Sequence, residues 1–129
     1  MIIGKILQTF DWTNEEGTVS ISLDITRMLE AIDKGELQVE KLTALLDRSF
    51  AEMWISRRDI NLSYVFNMSP LYRDKPVLGA WLPDETVLLI DGSHRYTRRY
   101  KDNLETVDYN LVSLNDWPKY ATIKGELKL

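Results

Sequence analysis

The run Asp91-Gly92-Ser93-His94-Arg95 follows four apolar residues, Val87, Leu88, Leu89 and Ile90. It holds the only histidine of the chain and the first arginine of a basic cluster, Arg95, Arg98, Arg99 and Lys101. An apolar strand that ends in glycine and opens a helix is suited to binding a phosphate. The glycine lets the backbone approach an anion, and the free N–H groups of the helix start point at it. Arg95 offers a planar fork that matches phosphate oxygens, and Arg98 adds charge one turn on. His94 could donate a hydrogen bond or move a proton near neutral pH, or be a surface residue without a role. Asp91 reads foremost as part of the turn and otherwise as a carboxylate for Mg²⁺. Ser93 is a candidate N-cap. The alternative is that Asp91-Gly92 joins two strands as a hairpin. The spacing of Arg95 with Arg99 and of Tyr96 with Tyr100 favours a helix instead.

The balance of charge narrows the ligand. The net charge is −4, which disfavours broad nonspecific binding to DNA. Residues 91–101 carry four cations against Asp91 alone, so a basic patch sits on an acidic body. That pattern suits a small anion better than a long polyanion, unless the cations form a plain solvated face. With 129 residues, 44% of them hydrophobic, one domain spanning 1–129 with a real core is expected. The absence of cysteine excludes a disulfide scaffold, thiol catalysis and cysteine-ligated zinc. No apolar run is long enough to cross a bilayer, and the start of the chain lacks a signal-like core, so a cytoplasmic protein is expected.

The elements that position the turn follow from periodicity. Residues 2–10 and 18–23 read as strands around the turn at Asn14-Glu15-Glu16-Gly17. Asp24 or Thr26 caps a short helix through Asp33 with Leu29 and Ile32 inward, and Gly35 ends it. Leu42, Leu45, Leu46, Phe50, Met53 and Trp54 recur at helical spacing and predict one helix over 39–55. Residues 60–68 are ambiguous, and 69–76 read as a loop because of Pro70 and Pro76. Residues 77–82 and 85–90 predict a hairpin through Pro83-Asp84, followed by a helix over 93–101 and a strand over 106–114. A last small element or edge strand closes the chain. The class is α+β. Arg73 and Lys75 could reach a phosphate from their loop. Asp47, Glu52 and Asp59 are candidate acids that spacing does not separate. Trp12, Trp54, Trp81 and Trp117 read as core or rim aromatics.

The order of strand, Asp-Gly-x-His-Arg, helix and strand over residues 76–115 resembles the ParB/sulfiredoxin-like nucleotide-binding domains. Pro76-Val77-Leu78 resembles the family's Pro-led strand, and 107–114 the strand after its helix. Residues 19–23 resemble an early strand packed beside them, while 36–70 match no part of the pattern. The resemblance implies a mixed sheet with packed helices. It also implies a site for ATP, ADP, CTP or a related nucleotide, with Mg²⁺ as a companion. Asp91, Gly92, Ser93, His94, Arg95 and Arg98 would bind it, and His94 and Arg95 would act in any phosphoryl transfer or hydrolysis. Ser93 stands where sulfiredoxins carry their cysteine, so sulfinic-acid reduction through a thiol is excluded. No helix-turn-helix reader is expected in the short stretch after the motif, so partitioning in the ParB manner is not expected. Two rivals remain. One is a phage- or plasmid-type accessory protein that binds a protein partner or sequesters a nucleotide; the other is a ParB-like nuclease, which the acidic body disfavours.

Overall fold

The structure is a computed structural model that describes residues 9–83 and 85–125. It is α+β, as the periodicity predicts. The element order is β1 (Thr9–Thr13), β2 (Ser20–Asp24), α1 (Ile25–Asp33), β3 (Glu40–Leu45), α2 (Arg48–Ser56), α3 (Leu62–Phe66), α4 (Pro70–Arg73), β4 (Val77–Trp81), β5 (Val87–Asp91), α5 (Ser93–Lys101), β6 (Thr106–Val112) and β7 (Ala121–Lys124). A 3-10 turn, Trp117–Tyr120, precedes β7. The strands form two sheets, ordered β1-β2-β7 and β3-β6-β4-β5. The chain falls into two compact units, one of residues 1–39, 80–88 and 112–129, the other of 40–79 and 89–111. The expected strand over 2–10 lies outside the described residues apart from Thr9 and Phe10, as does Asp84 of the expected turn.

In the first unit, β2 pairs antiparallel with β1 on one side and β7 on the other. Alternation puts Ile21 and Leu23 inward. Asn14 closes the β1–β2 turn, its side-chain oxygen accepting from the N–H groups of Thr18 and Val19. Asp24 caps α1 by accepting from the Arg27 N–H at 3.0 Å, as expected. The inward face is Ile25, Met28 and Ala31, whereas Leu29 is 36% exposed and Ile32 half-buried. The helix begins directly after the strand, so the buried Ile25 sets its phase, and residues three apart follow it inward. Trp117 is buried and donates its indole N–H to the Trp81 carbonyl at 2.8 Å.

The second unit corrects the largest expectation. Residues 39–55 do not form one helix; they form β3, a break at Leu46 and Asp47, and α2. Two local forces override the helical spacing. Strand β6 offers a ladder that β3 completes in antiparallel register, with Leu42 opposite Tyr109 and Ala44 opposite Val107. The Thr43 hydroxyl adds a bond to the Asp108 carboxylate at 2.6 Å. Asp47 then starts the helix afresh, accepting from the Ser49 N–H at 2.9 Å and from the Ser49 hydroxyl at 2.5 Å. These bonds hold the Asp47 carboxyl below its usual range. Of the expected apolar stripe only Leu46 is buried, and Leu45 is 81% exposed. The ambiguous segment 60–68 contains α3, capped by Asn61, and the expected loop 69–76 contains α4, capped by Ser69 with Pro70 at its start. Strands β4 and β5 are neighbours in their sheet, and between them the Leu82 N–H donates to the Thr86 carbonyl at 2.8 Å. Of residues 19–23, expected beside these strands, Ser20 to Leu23 belong to β2 of the other sheet; β3 and β4 flank β6.

Helix α5 organises the core of this unit. Tyr96 packs with Leu46, Ala51, Val77 and Val107, bordered by Trp54, Leu89, Tyr100 and Tyr109. The Trp54 ring meets Tyr96 edge-on at 5.3 Å. The Tyr96 oxygen accepts from the Asp47 N–H at 2.6 Å, and Tyr109 packs against the same cluster. Burial pushes both phenols above their usual range. Tyr96 therefore ties α5 to the start of α2 and to β6. Tyr96→Phe keeps the ring and leaves the Asp47 N–H unmatched, so it should destabilise the protein by about 1–3 kcal/mol. Urea denaturation measures this, and a change under about 0.5 kcal/mol would show that the bond holds nothing.

Candidate functional site

The turn after β5 becomes a helix and not a hairpin. Gly92 has φ +104°, a left-handed conformation, and Ser93 is the first residue of α5. A Cβ at Gly92 would lie 2.7 Å from Val77 Cγ1, 2.9 Å from Val77 Cβ and 3.1 Å from Arg95 Nη2. Both the dihedral and the space thus require glycine. Ser93 is not the N-cap that the sequence suggests: Gly92 holds that place, and no side chain caps the helix. The first N–H to close onto the helix is that of Tyr96, which donates to the Gly92 carbonyl at 2.9 Å. The amides of Ser93, His94 and Arg95 therefore lack helical acceptors, as a helix start requires.

Each arginine of the cluster is already engaged. Arg95, its side chain 12% exposed, donates from Nη1 to the Pro76 carbonyl at 2.6 Å. Its Nη2 lies 3.6 Å from Asp91, and its guanidinium sits 5.4 Å from the Tyr72 ring centre. Arg98 donates from Nη1 to the carbonyls of Val65, Phe66 and Met68 and pairs with Asp102 at 2.8 Å. Arg99 bonds the Thr106 carbonyl and pairs with Asp74. Arg73 joins Asp74 to Asp102, and these pairings hold both carboxyls below their usual range. Lys75 lies over the Tyr72 ring at 5.7 Å. Much of the basic patch is thus an internal network tying α4 to α5.

His94 is half-buried. Its Nε2 accepts from the Asn61 N–H at 3.2 Å, and its ring meets Tyr64 edge-on at 5.4 Å. Burial lowers its pKa, and the nearby Asp91 charge partly opposes that shift. An accepting Nε2 places the proton of the neutral ring on Nδ1. Of the candidate acids, Asp47 caps α2, Glu52 accepts from the Tyr100 hydroxyl at 3.1 Å, and Asp59 is exposed. Among the described residues no three His, Asp or Glu side chains converge.

Five residues around the turn were missed by sequence reasoning: Asn61, Tyr64, Tyr72, Asp74 and Asp102. Only Asp102 carried a local signal, four residues after Arg98 on one helix face. The chain matches no protein family, no curated protein and no solved structure. Among the described residues, no helix is long and apolar enough to cross a membrane.

Gly92→Ala should cost about 2–4 kcal/mol, combining left-handed strain with the overlap against Val77. Thermal denaturation checks this. A variant as stable as the wild type would mean that the turn does not need its left-handed geometry.

Proposed function

We propose that this chain binds a nucleoside di- or triphosphate at the start of α5, as its resemblance to the ParB/sulfiredoxin-like nucleotide-binding domains suggests. The observation that carries the reading is the uncapped left-handed turn at Gly92, with Arg95 held beside it. Backbone amides at Gly92 and Ser93 and the imidazole Nδ1–H of His94 are donors for phosphate oxygens. Arg95 supplies charge from the guanidinium nitrogens that do not bond Pro76. Arg98 contributes at a distance, since its own donors hold the end of α3. The succession β4, β5, α5, β6 also supports the reading, because it repeats the element order of the family pattern.

Binding is better supported than turnover. His94 has its Nε2 engaged with Asn61, and the Asp91 charge near it is shared with Arg95. Asp91 is the carboxylate nearest the turn and faces Arg95. A Mg²⁺ ion would accordingly be held mainly by phosphate oxygens and water, with Asp91 the one side chain at hand. When bound, such an ion would neutralise phosphate charge.

A second reading rests on a different observation. Phe66 and Leu71 on α3 and α4 are exposed, Leu71 at 82%, with Tyr64 and Tyr72 nearby. These side chains suit an accessory protein that docks a protein partner.

Isothermal titration with ATP, ADP, CTP and GTP, each with and without Mg²⁺, tests the first reading. Arg95→Ala should abolish binding, with circular dichroism confirming that the variant folds. Ser93→Asp is a cleaner control: a carboxylate in the first turn favours the helix while repelling a phosphate. It should weaken binding by about tenfold or more at unchanged stability. If no nucleotide binds the folded wild type, the nucleotide reading fails and the partner reading stands.

A further inference from the structure

Helix α3 is five residues long, Leu62–Phe66. A helix that short does not persist in water on its own. Two side chains of α5 hold it, one at each end. At its start, His94 Nε2 accepts the N–H of Asn61, the N-cap residue, at 3.2 Å. At its end, Arg98 Nη1 donates to the carbonyls of Val65, Phe66 and Met68 at 2.8, 3.0 and 3.0 Å. His94 and Arg98 are four residues apart and so share one face of α5.

Each anchor has the chemistry its end of α3 requires. Helix starts present unpaired N–H groups and partial positive charge; helix ends present unpaired carbonyls and partial negative charge. A lone pair meets the first and a guanidinium meets the second. A guanidinium keeps its charge across the accessible pH range. The His94 anchor works in one protonation state alone. A proton on Nε2 would set N–H against N–H and put a positive charge at the positive end of α3.

We infer that His94 and Arg98 form a latch that docks α3 on α5, and that protonation of His94 releases the start of α3. The surroundings of the imidazole agree with this direction. On α3, the Tyr64 ring packs edge-on against it, and Tyr72 of α4 lies close to Tyr64. Asp91, at the end of β5, favours the protonated ring, but Asp91 is also paired with Arg95, whose charge lies close to Tyr64. Burial outweighs Asp91, so the docked ring is neutral and takes up a proton less readily than a free histidine. The sign follows from linkage. The contribution of the His94 contact to docking is fully present above the ordinary value of 6.5 and is lost as the pH falls through the window below it.

Because the chain has one histidine, the test is direct. Hydrogen exchange of the full chain reports α3 through the amides of Val65, Asn67 and Met68, which bond Asn61, Ser63 and Val65. After correction for intrinsic exchange, their protection should fall about tenfold between about pH 7.5 and about pH 5, while Val107 and Leu111 in β6 stay protected. His94→Gln offers a carbonyl oxygen that does not titrate, and its α3 protection should be independent of pH. Protection that is flat and high shows that the amide replaces the imidazole. Protection that is flat and low shows that the acceptor at position 94 is required. A wild type without the fall, or a His94→Gln variant that keeps it, overturns the proposal. So does imidazole ¹⁵N NMR that finds the neutral ring protonated on Nε2.

Discussion

The left-handed turn at Gly92 is the constraint from which the second unit follows. It converts β5 into α5 within one residue and sets the direction in which the helix leaves the sheet. Val77 packs where a side chain on Gly92 would stand, so the turn and the neighbouring strand fix each other. With α5 aimed in this way, Tyr96 enters the core and its hydroxyl reaches Asp47. Asp47 in turn starts α2, so the backbone conformation at Gly92 determines where an element far back in the chain begins.

The arginines of α5 do a different kind of work. They collect carbonyls and carboxylates from the segments around them, and each does so in a geometry that a lysine could not copy. Arg98 reaches three carbonyls and Asp102 at once, which asks for a planar fork with several donors. The short helices α3 and α4 have few residues with which to bury apolar surface. Polar ties from α5 hold them where a hydrophobic face cannot. This accounts for the apolar side chains Phe66 and Leu71 remaining in solvent.

The sequence was legible where a rule acts over a few residues. The hairpin, the turn at Asp91-Gly92, the helix after it and β6 all stand near their expected places, because glycine, alternation and i, i+4 spacing are local signals. Residues 39–55 were misread because the strand pairing that decides them lies more than sixty residues away, in β6. Asp47 followed by Ser49 was the local hint, a capping pair in the middle of an apparent stripe. The site was legible in its loop but not in its surroundings. Nothing local to Arg95 announces the Pro76 carbonyl, and nothing local to His94 announces Asn61. A cluster of charges in sequence therefore suggested a free basic patch. The fold spends much of that charge on Asp74, Asp91 and Asp102.

That expenditure bears on how an anion would bind. A flexible surface arginine loses rotamer freedom and water when it meets a phosphate. Arg95 has already lost most of both, since it is largely buried and held by the Pro76 carbonyl. Its contact with Asp91, at 3.6 Å, is longer than the other ion pairs of α5, at 2.8 Å. A longer contact is weaker and gives way more readily. A phosphate arriving at the uncapped amides would compete with Asp91 for one edge of the guanidinium while the bond to Pro76 stayed in place. Arg98 and Arg99 have no such slack, because moving either would undo the ends of neighbouring elements. On these grounds Arg95 is the cation of the cluster best placed to serve a ligand without loosening the fold.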